Sequence, residues 1–268
     1  MREGYVLRLL MAILVIVMAF SFFSCGRVDQ TIPPADTQSE QVTINITVDE
    51  RPRSFVVYMP KGHNDAGNMP MIFILHGGLG TPGGMMRMVP DFRTIADRER
   101  IVLVYPAGVE NKWNDGRPTT PNILGIDDVN FFNQMCDYLV TNYQVDETRI
   151  YATGISNGGF MSSRLACELS NRIAAIAVVA ATIEASTIAP NCNPGRPVPA
   201  IYIHGTHDVI VPFDGGNMTA GAGGTILSHY EVLEKWVSVN DCDSPPVVRD
   251  LPDIADDETT IKQSTYLG

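Results

Sequence analysis

Residues 149–160 read RIYATGISNGGF. The first six, RIYATG, have the β-branched and aromatic content of a strand. From Asn157 the run NGGFMSSRLACELS has apolar residues at helical spacing. The pattern Gly154-x-Ser156-x-Gly158 therefore falls where a strand turns into a helix. Such a turn is tight, and side chains larger than glycine would meet neighbouring backbone. A serine at its apex stands at the carboxyl end of a sheet, where open α/β sheets bind ligands. Ser156 is thus the candidate nucleophile, and the residue after it, Asn157, offers a backbone N–H to a developing oxyanion.

Working outward, strands alternate with helices. VTINITV (42–48) and SFVVYMP (54–60) read as strands, as do the buried runs within MPMIFILHGG (69–78) and IVLVYPAG (101–108). Residues 84–100 read as helix interrupted at Pro90, and a helix follows Asp127 or Asp128, either of which can cap it. IAAIAVVAA (173–181) and PAIYIHG (199–205) read as strands, and 225–240 as a helix. This order predicts a doubly wound α/β sheet, mostly parallel, with an antiparallel start. A last strand-like piece, TTIKQSTYLG, follows an acidic, Pro-containing stretch.

LHGGLG (75–80) ends a buried strand, and its glycine turn frees backbone N–H groups for an oxyanion. Gly78 is the first choice of donor and Leu79 the next. IYIHGTHDVIVPFDGG (201–216) places Asp208 just beyond another strand, where a carboxylate can orient an imidazole. The chain order serine then aspartate suits a Ser-Asp-His triad.

The N-terminus carries a different message. Arg2 and Arg8 precede an apolar run from Leu9 to Phe23, the pattern of a secretory signal. Cys25 follows Ser24 and precedes Gly26, which resembles a bacterial lipobox with Phe22 in place of its usual leucine. Lipidation at Cys25 would anchor the protein to a membrane; plain secretion and an uncleaved anchor stay open. Residues 26–41 are polar and Pro-containing, a tether before a domain over 42–268. The net charge of −11 disfavours nucleic acid as a partner. No metal-ligand spacing and no cofactor motif is present. Cys136 lies on an apolar helix stripe and reads as a buried free thiol. Cys167, on the helix after the serine turn, and Cys192, in the loop leaving the next strand, read as a disulfide.

LHGGLG, YPAG, WNDGR, DDVNFF, RIYATGISNGGFMSSRLACELSNRIAAIAVVAA and IHGTHDVIVPFDGG together resemble the secreted α/β-hydrolase esterases. These include polyhydroxybutyrate depolymerases, feruloyl esterases and acetyl xylan esterases. The resemblance runs from about residue 50 onward. It implies ester hydrolysis through an acyl-enzyme, on polyhydroxyalkanoate or plant cell-wall esters, with Ser156 as nucleophile and Asp208 as acid. It puts Trp113 and Asn114 near the substrate cleft. It also implies a catalytic histidine beyond a stretch like Thr265-Tyr266, and a partner for Cys242 beyond Tyr266. None of His63, His76, His204, His207 and His229 suits the role of base, so the hydrolase fold reads as lacking its C-terminal part. Two other readings remain: a dead hydrolase scaffold serving as a surface-anchored binding protein, and a serine peptidase on the same fold.

Overall fold

The structure is a computed structural model that describes residues 38–63, 67–88, 91–254 and 257–268. The signal, Cys25 and most of the tether lie outside these residues. The antiparallel start is β1 (Glu40–Val48) against β2 (Arg51–Met59). Since β1 begins at Glu40, the strand takes in the last two residues of the stretch read as tether.

The parallel part comprises β3 (Met69–Leu75), β4 (Val102–Pro106), β5 (Val145–Ile155), β6 (Ile173–Val179) and β7 (Ala200–Ile203). The sheet has seven strands in the order β1-β2-β4-β3-β5-β6-β7. Each central strand is apolar on both faces because helices cover both. Along β3, Met71, Phe73 and Leu75 enter one core, while Ile72 and Ile74 enter the other. α1 (Pro82–Met88) and α2 (Asp91–Glu99) cover the second face, burying Met85, Met86, Phe92 and Ile95. The helix expected over 84–100 is thus two helices, on either side of the Pro90 region. The first core takes Phe131, Phe132, Met135 and Leu139 of α4 (Asp128–Tyr143) and Phe160, Met161 and Leu165 of α5 (Asn157–Glu168). A short α3 (Thr120–Ile123) lies in the loop after β4, and α6 (Ile188–Asn191) in the loop after β6.

α7 (His229–Val239) also packs on the first core, through Val232 and Trp236. Its start corrects the helix expected from 225. Thr225–Ile226 (β9) instead pairs with Gly216–Asn217 (β8), and Ser228 caps the helix. The Ser228 side chain accepts from the Glu231 N–H, and the Glu231 carboxylate accepts from the Ser228 N–H. This capping box was legible in the sequence as Ser-x-x-Glu.

The strand ends align: Leu75 pairs with Gly154, Ile155 with Val179, and Val179 with Ile203. Loops bearing Gly78, Trp113, Ser156 and Asp208 therefore all leave the same end of the sheet. β10 (Val247–Leu251) pairs with β11 (Ile261–Thr265) in a separate, largely exposed hairpin. The acidic stretch thus contributes a strand that its composition did not suggest. β7 ends the sheet, and its outer side is unpaired among the described residues.

Candidate active site

Ser156 has φ 53° and ψ −123°, a backbone that costs a side-chain-bearing residue on the order of 1–3 kcal/mol. Close packing of the surrounding backbone holds it there. A Cβ on Gly154 would lie 2.4 Å from the Gly158 oxygen. A Cβ on Gly158 would lie 2.5 Å from the His76 oxygen and 2.6 Å from that of Leu75. β5, α5 and the loop after β3 can meet only because these positions lack side chains. The Ser156 N–H donates to the Val179 oxygen at 2.9 Å, tying the turn to β6. Ser156 stays partly exposed, whereas Asn157 is buried.

Two backbone donors border the space in front of this turn. Asn157 is the first residue of α5, so its N–H has no acceptor within the helix. In the loop after β3, the Leu79 N–H donates to Asn111 O at 2.8 Å and the Gly80 N–H to Gly77 O at 3.0 Å. The Gly78 N–H has no such acceptor among the described residues, which leaves it available where Leu79 is not. A Cβ on Gly78 would stand 3.9 Å from the Asn157 Cβ, so the two donors are neighbours.

Trp113 and Asn114 are enclosed, not presented to solvent: Trp113 is 0% exposed and Asn114 8%. Asn157 Oδ1 accepts from the Trp113 N–H at 2.8 Å, and Asn157 Nδ2 donates to the Trp113 oxygen at 3.2 Å. The indole N–H donates to the His76 oxygen at 2.9 Å. The Asn114 N–H donates to Asp128 Oδ2 at 2.7 Å, and Asp128 also pairs with Arg53 at 2.6 Å. Asp115 accepts from Asn157 Nδ2 at 2.6 Å and from Arg117 Nη2 at 2.6 Å, while the Arg117 guanidinium lies 3.8 Å over the Phe160 ring. Sequence reasoning missed Asp115, Arg117 and Arg53, and read Asp128 only as a possible helix cap. For Asp115 and Arg117 the signal available was the density of polar side chains in WNDGR, residues 113–117.

Asp208 closes its own loop. Its Oδ1 accepts from the Ile210 and Val211 N–H groups at 2.8 and 2.9 Å. Oδ2 is left 3.6 Å from His204 Nε2, which is itself 2.8 Å from the Val211 oxygen. Between the strands carrying Ser156 and Asp208 lies only β6, a gap of about 10 Å at two strand spacings.

None of the five described imidazoles hydrogen-bonds to Ser156. The Gly108 N–H donates to His76 Nε2 at 3.1 Å, so that nitrogen is bare, and Nδ1–H donates to Gly77 O at 2.8 Å. Both His76 nitrogens are occupied, and burial lowers its pKa. The His204 side chain is fully buried, with Nδ1 unpartnered. His229 stacks on Phe213 at 4.7 Å between ring centroids; burial first, then His204, push it down to about 4. His63 lies beyond β2, at the opposite end of the sheet, 3.1 Å from Pro60 O. His207 is exposed, with Nδ1 3.2 Å from the Thr206 hydroxyl.

Cys167 and Cys192 are joined in a disulfide with Cα atoms 4.6 Å apart. It ties α5 to the segment after α6. Cys136 and Cys242 are free, and burial pushes the Cys136 thiol up to about 12, which makes it unreactive. Among the described residues no three metal-capable side chains converge.

Residues 68–234 match a family described as Phospholipase/Carboxylesterase. The chain is 30% identical over 161 residues to a bifunctional acetylxylan esterase/xylanase of Neocallimastix patriciarum, covering 60% of this chain and 22% of that one. It is 25% identical over 197 residues to feruloyl esterase B of Piromyces equi, covering 72% and 37%. With a putative esterase of Nocardia uniformis the identity is 33% over 147 residues, covering 54% and 42%. The chain thus spans less than half the length of these curated relatives. In structure it is similar to an acetyl xylan esterase from Aspergillus awamori, with a TM-score of 0.55 at 17% identity, covering 78% of this chain and 84% of that one. That likeness carries the fold alone, a mostly parallel sheet between layers of helices. The chain belongs to the phospholipase/carboxylesterase family and has the α/β-hydrolase fold.

Proposed function

We propose that this chain is an exported carboxylic ester hydrolase that works through Ser156. The supporting observation is the turn itself: a strained, partly exposed serine beside two uncommitted N–H donors. In this reading the Ser156 oxygen attacks the ester carbonyl while an imidazole takes its proton. The Gly78 and Asn157 N–H groups hold the resulting oxyanion. The alcohol leaves with that proton, and water then cleaves the acyl-serine by the same route. Asp208, with Oδ1 held by two backbone amides and Oδ2 free of them, is suited to orient and stabilise the imidazolium. The ring itself belongs between Ser156 and Asp208, and no described histidine fills that role in this arrangement.

The substrate class we favour is the feruloyl or acetyl ester of plant cell-wall polysaccharide, after the named activities of the relatives. Export follows from the N-terminal pattern, and the Cys167–Cys192 disulfide is in keeping with an oxidising compartment. Lipidation at Cys25 is part of the same proposal; mass spectrometry of the mature N-terminus tests it. A fluorophosphonate probe tests the nucleophile: labelling should map to Ser156 and vanish in Ser156→Ala. Labelling that survives the substitution overturns the reading. A panel of feruloylated sugars, acetylated xylan and hydroxyalkanoate oligomers ranks the substrates. One observation favours a second reading, a catalytically silent binding protein on this scaffold: no described imidazole is bonded to Ser156. Absence of labelling together with retained binding of an ester ligand would select it.

A further inference from the structure

We propose that Trp113 is a positioning residue that sets the spacing of the two oxyanion donors. The inference rests on the Ser156 reading above. The donors belong to different elements: Asn157 to the serine turn and Gly78 to the loop after β3. Each donor's segment is bonded to Trp113. On one side, the Asn157 carboxamide pairs with both main-chain polar groups of a single residue, accepting from the Trp113 N–H at 2.8 Å and donating to the Trp113 oxygen at 3.2 Å. On the other side, the indole N–H donates to the His76 oxygen at 2.9 Å, two residues before Gly78.

The polarity of this bridge is forced by chemistry. The Trp113 N–H can only donate, so Asn157 must turn its oxygen to it. The Asp115 carboxylate can only accept, so the Asn157 NH2 must face it, which it does at 2.6 Å. Arg117 neutralises Asp115 at 2.6 Å and is itself buried. The Thr119 hydroxyl donates to the Trp113 oxygen at 2.9 Å. The other end is held as firmly. The His76 ring lies 4.7 Å from the indole, accepts from the Gly108 N–H at 3.1 Å and is bonded to Gly77 O at 2.8 Å.

A buried, fully hydrogen-bonded strut of this kind keeps two N–H vectors convergent without touching the substrate. A displacement of a few tenths of an ångström at either donor weakens the bond that the oxyanion makes in the transition state. The ground-state carbonyl asks far less of the same donors. Loss of the strut should therefore lower kcat and leave KM in place.

The test uses the full chain with 4-nitrophenyl acetate, with free imidazole in the buffer as external base, and Ser156→Ala as the control. Each rate is compared with that for the thiono analogue of the ester, whose sulfur accepts hydrogen bonds only weakly. Trp113→Phe keeps an aromatic ring but removes the indole N–H. It should lower kcat for the oxygen ester by about tenfold and change the thiono rate by less than about twofold, at unchanged KM. Equal losses for both esters, or no loss in a folded variant, overturn the proposal. If Trp113→Phe does not fold, β-(3-benzothienyl)alanine at position 113 removes the N–H while keeping the shape, with the same expected outcome. Wild-type turnover equal to that of Ser156→Ala would instead refute the Ser156 reading, and the inference with it.

Discussion

The serine side and the acid side of the site are built in opposite ways. Around Ser156 the backbone is immobilised from every direction. Gly154 and Gly158 abut backbone oxygens, and Asn157 bonds to Trp113 and Asp115. Asp208 instead lies in a loop that closes on itself, through two short-range amide bonds and His204. Its neighbours Val209 and Ile210 are 88% and 56% exposed. Under the proposed Ser156 and Asp208 roles, the contrast has a physical reason. A strained nucleophile and an oxyanion site need preorganised geometry, which only dense packing supplies. A carboxylate that steadies an imidazolium acts through charge and one hydrogen bond, and tolerates a looser frame.

The strongest way to break this contrast is Gly158→Ala. The new Cβ meets two backbone oxygens that cannot move aside, so the loss of stability should exceed about 3 kcal/mol. Thermal unfolding, or failure to recover soluble protein, measures it; a variant that melts like the wild type would show that the turn is slack. Next is the bridge that ties α5 to the chain after α6. Replacing Cys167 and Cys192 together with serine opens a loop of 25 residues and should cost about 3 kcal/mol in urea unfolding.

A smaller effect, on the acid side, depends on pH. Burial and His204 hold His229 down at about 4 in the folded chain, against 6.5 ordinarily. The unfolded chain therefore takes up a proton between those values that the folded chain does not. Stability is full above about pH 6.5 and falls as pH drops toward 4, by roughly 2 kcal/mol, since the ring is only partly buried. Melting temperature against pH should show this slope, and His229→Phe, which keeps an aromatic ring against Phe213, should flatten it. The smallest effect sharpens the comparison. Asp208→Asn keeps the Oδ1 acceptor for Ile210 and Val211, so stability should change by less than about 0.5 kcal/mol. A loss comparable with that of Gly158→Ala would mean that the acid loop is as tightly built as the serine turn.

By itself the sequence determined the layered α/β order, the serine turn, a helix cap at Asp127 or Asp128 and the strand that leads to Asp208. Each of these is a local matter. Strand and helix periods, capping residues and turn glycines act within a few positions, so they can be read directly along the chain. The division of 84–100 between two helices was legible, but the helix start at His229 was placed four residues early, because the Ser228 capping box outweighs the apolar run before it. Only the tertiary structure showed that Trp113 and Asn114 are enclosed. Their sequence neighbourhood, a polar loop at the sheet's carboxyl end, fits a cleft lining as well as a buried strut. Trp113 is held by Asn157, 44 residues away, and by His76, 37 residues away, and Asn114 by Ile126 and Asp128, 12 and 14 residues away. Likewise no spacing rule shows that both nitrogens of His76 are already engaged, since one partner is 32 residues off. Hydrogen-bond partners at such separations follow from how the sheet brings its loops together, and no local period encodes that.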